Sequence, residues 1–172
     1  AGLCEFEIGN AKDSKSSAFL ILGTGTGGCI CNENGVIYGK DSFAGEFHKL
    51  PFINFSNGKM DNMGDYASMT ALINIYNDKV DENVKIKYGH EVCNKYFEGD
   101  NTAKEAVDQW IDNILVQLIT ITVFYNPEVI CIGGGISEEE WFINRIKDRY
   151  REECIRHTEC DVITTKIDRC KY

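Results

Sequence analysis

The sequence predicts one α/β domain over residues 1–172, with a mixed sheet that contains an antiparallel hairpin and is flanked by helices. Two short apolar segments, Ala18–Leu22 and Glu128–Ile132, each run directly into a cluster of glycines. A long amphipathic stretch lies between them and is typical of a helix that crosses from one sheet strand to the next. No Pro-rich or Ser-rich linker divides the sequence, which favours a single domain at this length.

The first part of the chain is predicted to contain a helix, a strand and a hairpin. Ala1–Lys12 carries a loosely helical pattern, and Ala18–Leu22 is an apolar strand. Cys29–Cys31 and Val36–Tyr38 flank an Asn-Gly pair, which is a strong hairpin signal. The next segment, Asp41–Gly64, is rich in Gly, Asn and Ser, and we interpret it as a loop.

Helical periodicity dominates from Asp65 onward. One helix is predicted to begin there, and a second to cover His90–Phe97. Thr102 and Glu105 form a capping-box pattern that predicts the start of a long helix, and Pro127 predicts its end. The apolar positions of that helix share one face: Ala106, Trp110, Ile114, Leu118 and Ile121. This face suits either the core or a contact between two copies of the chain, and we expect a homodimer.

The last third of the chain is predicted to alternate strand, helix and strand. Glu128–Ile132 is a buried strand. Ser137 and Glu140 form a second capping-box pattern, which predicts a helix that extends to about Arg156. Val162–Thr164 is predicted to be the closing strand.

The overall charge and the hydropathy pattern exclude several classes of partner. Lys and Arg number 18 against 27 Asp and Glu, a net charge of -9. Such a balance opposes binding to phosphate backbones, so we expect no nucleic-acid partner. No segment approaches the ~20 apolar residues that span a bilayer, and the first ten residues lack a signal-peptide pattern. We therefore expect a cytoplasmic protein with no membrane partner.

Eight cysteines are many for a chain of this size. Several lie inside apolar strand patterns, so we interpret them as small buried hydrophobic residues in a reducing compartment. A metal site formed by Cys29, Cys31 and His48 is the alternative, but these residues lack the CxxC spacing typical of such sites.

The first glycine cluster, residues 20–28, reads LILGTGTGG. Its glycines match the G-x-G-x-x-G spacing of dinucleotide-binding proteins, but that fingerprint must open a helix, and here a hairpin strand is predicted to follow. A tight turn between antiparallel strands instead directs backbone N–H groups into one concavity suited to phosphate. A turn that only reverses the chain is the alternative. The candidate phosphate-binding residues are Gly23, Thr24, Gly25, Thr26, Gly27 and Gly28.

The second cluster, Gly133, Gly134 and Gly135, lies between a buried strand and a predicted helix. A flat glycine surface at the end of a sheet strand can accept the face of an adenine and its ribose, because no side chain stands in the way. A strand-to-helix turn without a ligand is the alternative. Between the two clusters, Glu46 follows Gly45 in a loop, and its carboxylate suits adjacent sugar hydroxyls.

With these residues in place, the sequence resembles the C-terminal domain of ROK-family (repressor, open reading frame, kinase) sugar kinases and regulators. The resembling segments, in order, are LILGTGTGG, NENG, AGEF, DYAS and NPEVICIGGGIS. The resemblance implies an actin-like ATPase, or ribonuclease H-like, fold. It also implies a glucokinase-like enzyme that phosphorylates a hexose or related sugar with ATP and Mg²⁺. Gly23–Gly28 would contact the ATP phosphates, Gly133–Gly135 the adenosine, and Glu46 the sugar.

Two departures from the resembled family concern the sugar site. Many members follow Ala-Gly-Glu with Gly-His and a cysteine-rich zinc loop, whereas His48 here comes one place early and Leu50–Gly64 contains no cysteine. A structural zinc is therefore not expected. The family also tends to carry a glutamate where this chain has Gly64, next to Asp65. The resulting candidates for contact with the sugar are Glu46, His48 and Asp65.

The resemblance also bears on catalysis. Ala1–Glu7 resembles the helix that follows the family's catalytic aspartate, so we expect the base just upstream of Ala1 and no catalytic residue in this chain. A first phosphate motif is expected further upstream, and a final helix after Tyr172. Residues 1–172 alone are therefore expected to be inactive. The alternatives are the sugar-binding domain of a ROK-type repressor, which has no need of ATP phosphates, and a structural domain without a ligand.

Overall fold

The sheet of the protein contains both parallel and antiparallel pairs, as predicted. The computed structural model describes residues 2–54 and 56–172, so the predicted helix residue Ala1 lies outside the described residues. The strands are β1 (Ser16–Leu22), β2 (Thr26–Asn32), β3 (Gly35–Val36), β4 (Pro51–Asn54), β5 (Lys59–Asn62), β6 (Val129–Gly133) and β7 (Lys166–Arg169). The α-helices are α1 (Gly2–Ile8), α2 (Gly64–Ala67), α3 (Met69–Asn77), α4 (Gly89–Glu98), α5 (Asn101–Tyr125) and α6 (Glu140–Thr158).

Five of these strands form one sheet in the order β3-β2-β1-β6-β7. β1 and β2 are antiparallel, with Leu22 opposite Thr26, so the first glycine cluster turns a hairpin. β6 lies parallel to β1 with Gly133 opposite Ile21, and β7 lies parallel to β6. Because parallel neighbours need a crossover connection, α5 carries the chain between them, as the sequence predicts.

Side chains alternate between the two faces of the sheet and supply two apolar layers. In β1, Leu20 and Leu22 pack with the helices of the larger core, whereas Phe19 packs in a smaller cluster with Cys31 and Cys131. The predicted apolar face of α5 is buried in the larger core: Ala106, Trp110, Ile114, Leu118 and Ile121. That face is therefore core, and the expected homodimer would need other residues.

The segment predicted as a loop, Asp41–Gly64, contains a hairpin that the sequence interpretation missed. β4 and β5 pair antiparallel, with Phe52 opposite Asp61. Gly58 takes a positive φ of 67°, a backbone conformation that favours glycine. The signal was present in the sequence, because Asn57-Gly58 is the same dipeptide that predicted the first hairpin. The short length of both strands, four residues each, concealed it.

Two predicted helix starts and one predicted strand are wrong. Ser137 does not begin α6, because its hydroxyl donates to Gly134 O at 2.7 Å within a short 3₁₀ turn, Gly135–Glu138. The closing strand lies at Lys166–Arg169 and not at Val162–Thr164, since α6 continues to Thr158 and the chain must then cross to the sheet edge. The start of α5 that was predicted from Thr102 is also wrong.

Asp100, not Thr102, caps α5. The carboxylate of Asp100 accepts the backbone N–H of Ala103 at 2.8 Å, which satisfies one of the free N–H groups of the first turn. Replacing Asp100 with alanine is expected to lower the free energy of unfolding by about 1 kcal/mol. Thr102→Ala, within the same turn, is the control and is expected to change it by less than about 0.5 kcal/mol. Urea denaturation measures both, and equal losses would contradict the assignment.

All eight cysteines lie in the described part of the chain and are free thiols there. Cys31, Cys131, Cys154 and Cys170 are buried and the other four are half-buried, in agreement with their interpretation as small hydrophobic residues. Burial raises the pKa of Cys131 to about 12, which keeps the thiol protonated. Of the helices in residues 2–54 and 56–172, none combines the length and apolar character needed to cross a membrane.

Candidate functional site

The first glycine cluster is a tight turn followed by a strand. Gly23 N–H donates to Gly25 O at 2.9 Å and closes the turn, while Gly23 O accepts the N–H of Met69 at 2.9 Å. Thr24 and Gly25 are exposed at its tip. A strand follows instead of a helix, which confirms that the dinucleotide-binding interpretation fails here.

The remaining residues of the predicted phosphate set lie within β2. Thr26 is buried, with 7% of its surface exposed. A Cβ on Gly28 would lie 2.6 Å from Phe19 O and would overlap the ring of Phe47, so packing alone requires glycine there. Of the predicted set, Gly23 and Thr24 line one cleft, and Gly28 lines a separate pocket beside α1.

The second glycine cluster has three residues in three different environments. Gly133 ends β6, and a Cβ there would lie 2.6 Å from Ile21. Gly134 has a φ of 96°, and its Cβ would overlap the carbonyl oxygen of Leu22. Gly135 is exposed, and no heavy atom of the described residues lies within 4 Å of the place its Cβ would take.

The two clusters meet at one cleft. β1 and β6 are parallel neighbours, so their carboxyl ends reach the same edge of the sheet, where α/β proteins bind ligands. A cleft of about 600 Å³ opens there, with Gly23 and Thr24 on one side and Gly135 on another. A volume of this order suits a nucleotide-sized ligand.

The far wall of the cleft comes from α3 and α4, which the sequence interpretation did not assign to a site. His90, Cys93, Asn94 and Phe97 lie on one face of α4 at helical spacing. His90, interpreted from sequence as a solvated surface residue, lines the cleft and stacks on Tyr88 with ring centroids 5.6 Å apart. Burial raises the pKa of the Cys93 thiol to about 11, so it remains protonated. The signal in the sequence that could have indicated this wall was the helical spacing of the polar and aromatic residues on that face of α4.

Two of the three predicted sugar contacts come together. His48 Nε2 lies 3.7 Å from Asp65 Oδ1, and Asn62 Nδ2 donates to Asp65 Oδ2 at 3.3 Å. A Cβ on Gly25 would lie 3.6 Å from His48 Nδ1, so this pair adjoins the first glycine turn. Glu46 is exposed and precedes the 3₁₀ turn Phe47–Lys49 that carries His48.

His48 explains why glycine occupies position 64. A Cβ on Gly64 would overlap the imidazole of His48. A glutamate at position 64 and the histidine in its observed place are therefore mutually exclusive. The ring of His48 takes the space that a side chain at position 64 would need, so the residues at these two positions depend on each other.

The hairpin β4–β5 supports this region through Tyr66. Tyr66 donates its hydroxyl to Asp61 and packs against Phe52, with ring centroids 4.4 Å apart and ring planes tilted by 37°. Asn54 Nδ2 donates to the same carboxylate at 3.0 Å. These bonds, that of Tyr66 first, hold the pKa of Asp61 below its ordinary value. Within residues 2–54 and 56–172, no group of three or more His, Cys, Asp or Glu is arranged to bind a metal ion.

Comparison with known proteins assigns the chain to a family. The ROK family model matches residues 1–168. The chain belongs to the ROK family. An uncharacterized protein of Clostridium perfringens is 34% identical over 164 residues, which cover 90% of this chain and 51% of that protein. An N-acetyl-D-glucosamine kinase of Vibrio atlanticus is 28% identical over 166 residues, covering 88% and 54%. The ROK chain spans about half the length of the curated relatives it matches.

Solved ROK structures share the fold. A ROK family protein from Streptococcus pneumoniae in complex with sucrose has a TM-score of 0.86 at 23% identity and covers 99% of this chain and 57% of that one. A ROK family glucokinase from Streptomyces griseus, with glucose and AMPPNP, gives 0.82 at 20%, covering 99% and 60%. A ROK family transcriptional regulator gives 0.72 at 20%, covering 99% and 46%. The ROK chain therefore has the actin-like ATPase fold, which kinases and a regulator share.

Proposed function

We propose that the full-length protein is an ATP-dependent kinase of a hexose or related sugar, and that residues 1–172 form its nucleotide cleft and one side of its sugar site. The observation that carries this proposal is the convergence of Gly23, Thr24 and Gly135 on a single cleft at the carboxyl ends of β1 and β6. The name of the Vibrio atlanticus relative, an N-acetyl-D-glucosamine kinase, supports sugar phosphorylation as the reaction.

The cleft fits ATP in two places. The turn at Gly23 and Thr24 would receive the phosphates, because Thr24 and Gly25 are exposed at its tip and neither has a bulky side chain. Gly135 leaves an open surface that would accept the adenosine, opposite the aromatic side chains of α4. Mg²⁺ on the phosphate oxygens would neutralise charge during transfer of the phosphoryl group.

The proposed sugar site begins where the first glycine turn ends. His48 adjoins Gly25, and Asp65 lies beside His48, so a sugar held there would have a hydroxyl near the terminal phosphate. We assign Glu46, His48 and Asp65 to binding and orienting the sugar, which makes in-line attack by its hydroxyl possible. We assign no general base among residues 1–172, and we propose that these residues alone do not turn over.

The test is ADP release by the full-length protein with Mg-ATP and a panel of hexoses, amino sugars and β-glucosides. Turnover that depends on one sugar would establish the kinase and name its substrate, including whether it is glucokinase-like. Sugar binding without turnover would favour the sugar-binding domain of a repressor, a function compatible with the fold that the regulator shares. Absence of stabilisation by both sugar and nucleotide would refute the proposal.

Replacing Glu46 with alanine is expected to raise the KM for the sugar by about 10- to 100-fold, because a hydrogen bond to a charged group contributes about 1.5–3 kcal/mol. The KM for ATP is expected to change less than about twofold, since the substitution removes ground-state contacts with the sugar only. Steady-state kinetics of the full-length protein measure both constants. Glu33→Ala, at the exposed turn between β2 and β3, is the matched control. Equal increases in the two KM values would contradict the role of Glu46.

A further inference from the structure

One face of α5 carries side-chain N–H donors that bind backbone carbonyl groups of the proposed sugar site. Trp110, Asn113 and Gln117 are spaced three and four residues apart, so they lie along the same side of the helix. We call these three residues the α5 donor stripe. Trp110 and Gln117 are buried in the core, and Asn113 is half-buried at its edge.

Two residues of the α5 donor stripe, Trp110 and Asn113, form hydrogen bonds with the segment that follows Asp65. Trp110 Nε1 donates to Ala67 O at 3.0 Å and to Ser68 O at 2.9 Å. Asn113 Nδ2 donates to Tyr66 O at 3.0 Å. These carbonyl groups end the single turn of α2 that begins with Gly64 and Asp65, so the stripe fixes the turn that presents Asp65 to His48.

The third residue of the stripe, Gln117, forms a hydrogen bond with the segment that carries Glu46 and His48. Gln117 Nε2 donates to Phe47 O at 2.8 Å, and Phe47 lies between Glu46 and His48. The same nitrogen is 3.5 Å from Thr26 Oγ1, at the start of the strand that follows the first glycine turn. One amide group thus contacts the sugar segment and the end of the proposed phosphate turn.

A glutamine at position 117 lowers the stability of the fold relative to an apolar residue. Its side chain is fully buried, and its Oε1 has no hydrogen-bond partner among the described residues. A buried polar atom without a partner is destabilising, whereas an unbranched apolar side chain of similar length would avoid that cost. The contact with Phe47 O is therefore the feature of Gln117 that an apolar residue could not supply.

We propose that Gln117 is a positioning residue, which holds the Phe47 carbonyl and thereby places Glu46 and His48 beside the first glycine turn. Asn113 does the same for Asp65 through Tyr66 O. The inference rests on the proposed sugar kinase function, because it assigns an effect on sugar binding to residues that do not touch the sugar. Helix α5 then sets the geometry of both halves of the sugar site.

The test compares Gln117→Met with the wild-type full-length protein. Methionine keeps the length of the side chain but has no N–H donor. The KM for the sugar found by the panel above is expected to rise about tenfold, with the KM for ATP within about twofold. Gln109→Met, the same change on the same helix, is the control and is expected to leave both constants unchanged. Asn113→Ser, with the same expected rise, serves where Gln117→Met fails to fold.

A double-mutant cycle separates positioning from a general loss of packing. If Gln117 acts through Glu46 and His48, the combined effect of Gln117→Met and Glu46→Ala on the KM for the sugar should be smaller than the product of their separate effects. Multiplication of the two effects, or an unchanged KM in Gln117→Met, would overturn the inference while the wild type still phosphorylates the sugar. A wild type without sugar turnover or binding would instead refute the proposed function, and the inference with it.

Discussion

Replacing Gly135 with valine is expected to weaken nucleotide binding to the full-length protein by about 100-fold, or about 2.7 kcal/mol, without lowering its thermal stability. Gly135 is exposed at the cleft, and no heavy atom of the described residues lies within 4 Å of its Cβ position. Its φ is also outside the range that strains an L-residue. A branched side chain would therefore fit the fold and occupy the volume assigned to adenosine.

The measurement is the rise in Tm with increasing AMPPNP, supported by calorimetric titration. The Tm of the wild type should rise with the logarithm of ligand concentration, and Gly135→Val should need about 100-fold more AMPPNP for the same rise. Glu138→Val is the control, because it places the same side chain on the same 3₁₀ turn away from the residues that line the cleft. Undiminished stabilisation of Gly135→Val would show that the nucleotide does not use this surface.

Replacing Gly134 with alanine is expected to lower stability, in contrast to Gly135→Val, and to destabilise the fold by about 3 kcal/mol. The φ of 96° disfavours any residue with a Cβ, at a cost of about 1–2 kcal/mol. The Cβ would also overlap Leu22 O, and overpacking adds about 1–3 kcal/mol. The three nearest atoms all belong to the backbone of Leu22, so no rotamer change relieves the contact.

Urea denaturation of the full-length protein measures this effect as a lowered midpoint. Gly135→Ala, one residue further along the chain, is the control and is expected to change the free energy of unfolding by less than about 1 kcal/mol. Similar midpoints for the two variants would contradict the assigned division of roles.

The features of this chain that were predicted correctly depend on residues close together in the sequence. An Asn-Gly pair predicted the hairpin of β2 and β3, and helical spacing of apolar residues predicted the buried face of α5. The stop at Pro127 follows from its missing N–H, and α5 ends at Tyr125. The crossover from β1 to β6 follows in turn, because parallel neighbours require such a connection.

The misses arise where several local signals compete. Thr102 matched a cap pattern, but Gly99, with a φ of 91°, ends α4 and Asp100 caps α5 directly after it. Ser137 matched a cap pattern, but Gly134 turns the chain into a 3₁₀ segment before α6 can begin.

The sequence by itself determined that two glycine-rich turns follow two sheet strands and that a carboxylate and a histidine lie between them. Only the tertiary structure decided which glycines serve packing and which face open space, as Gly28 and Gly135 show. It also decided that His48 excludes a side chain at position 64, and that Gln117 reaches Phe47 O. The physical reason is range: turn and helix preferences act between neighbours in sequence, whereas steric exclusion and side-chain hydrogen bonds act between atoms that folding brings together.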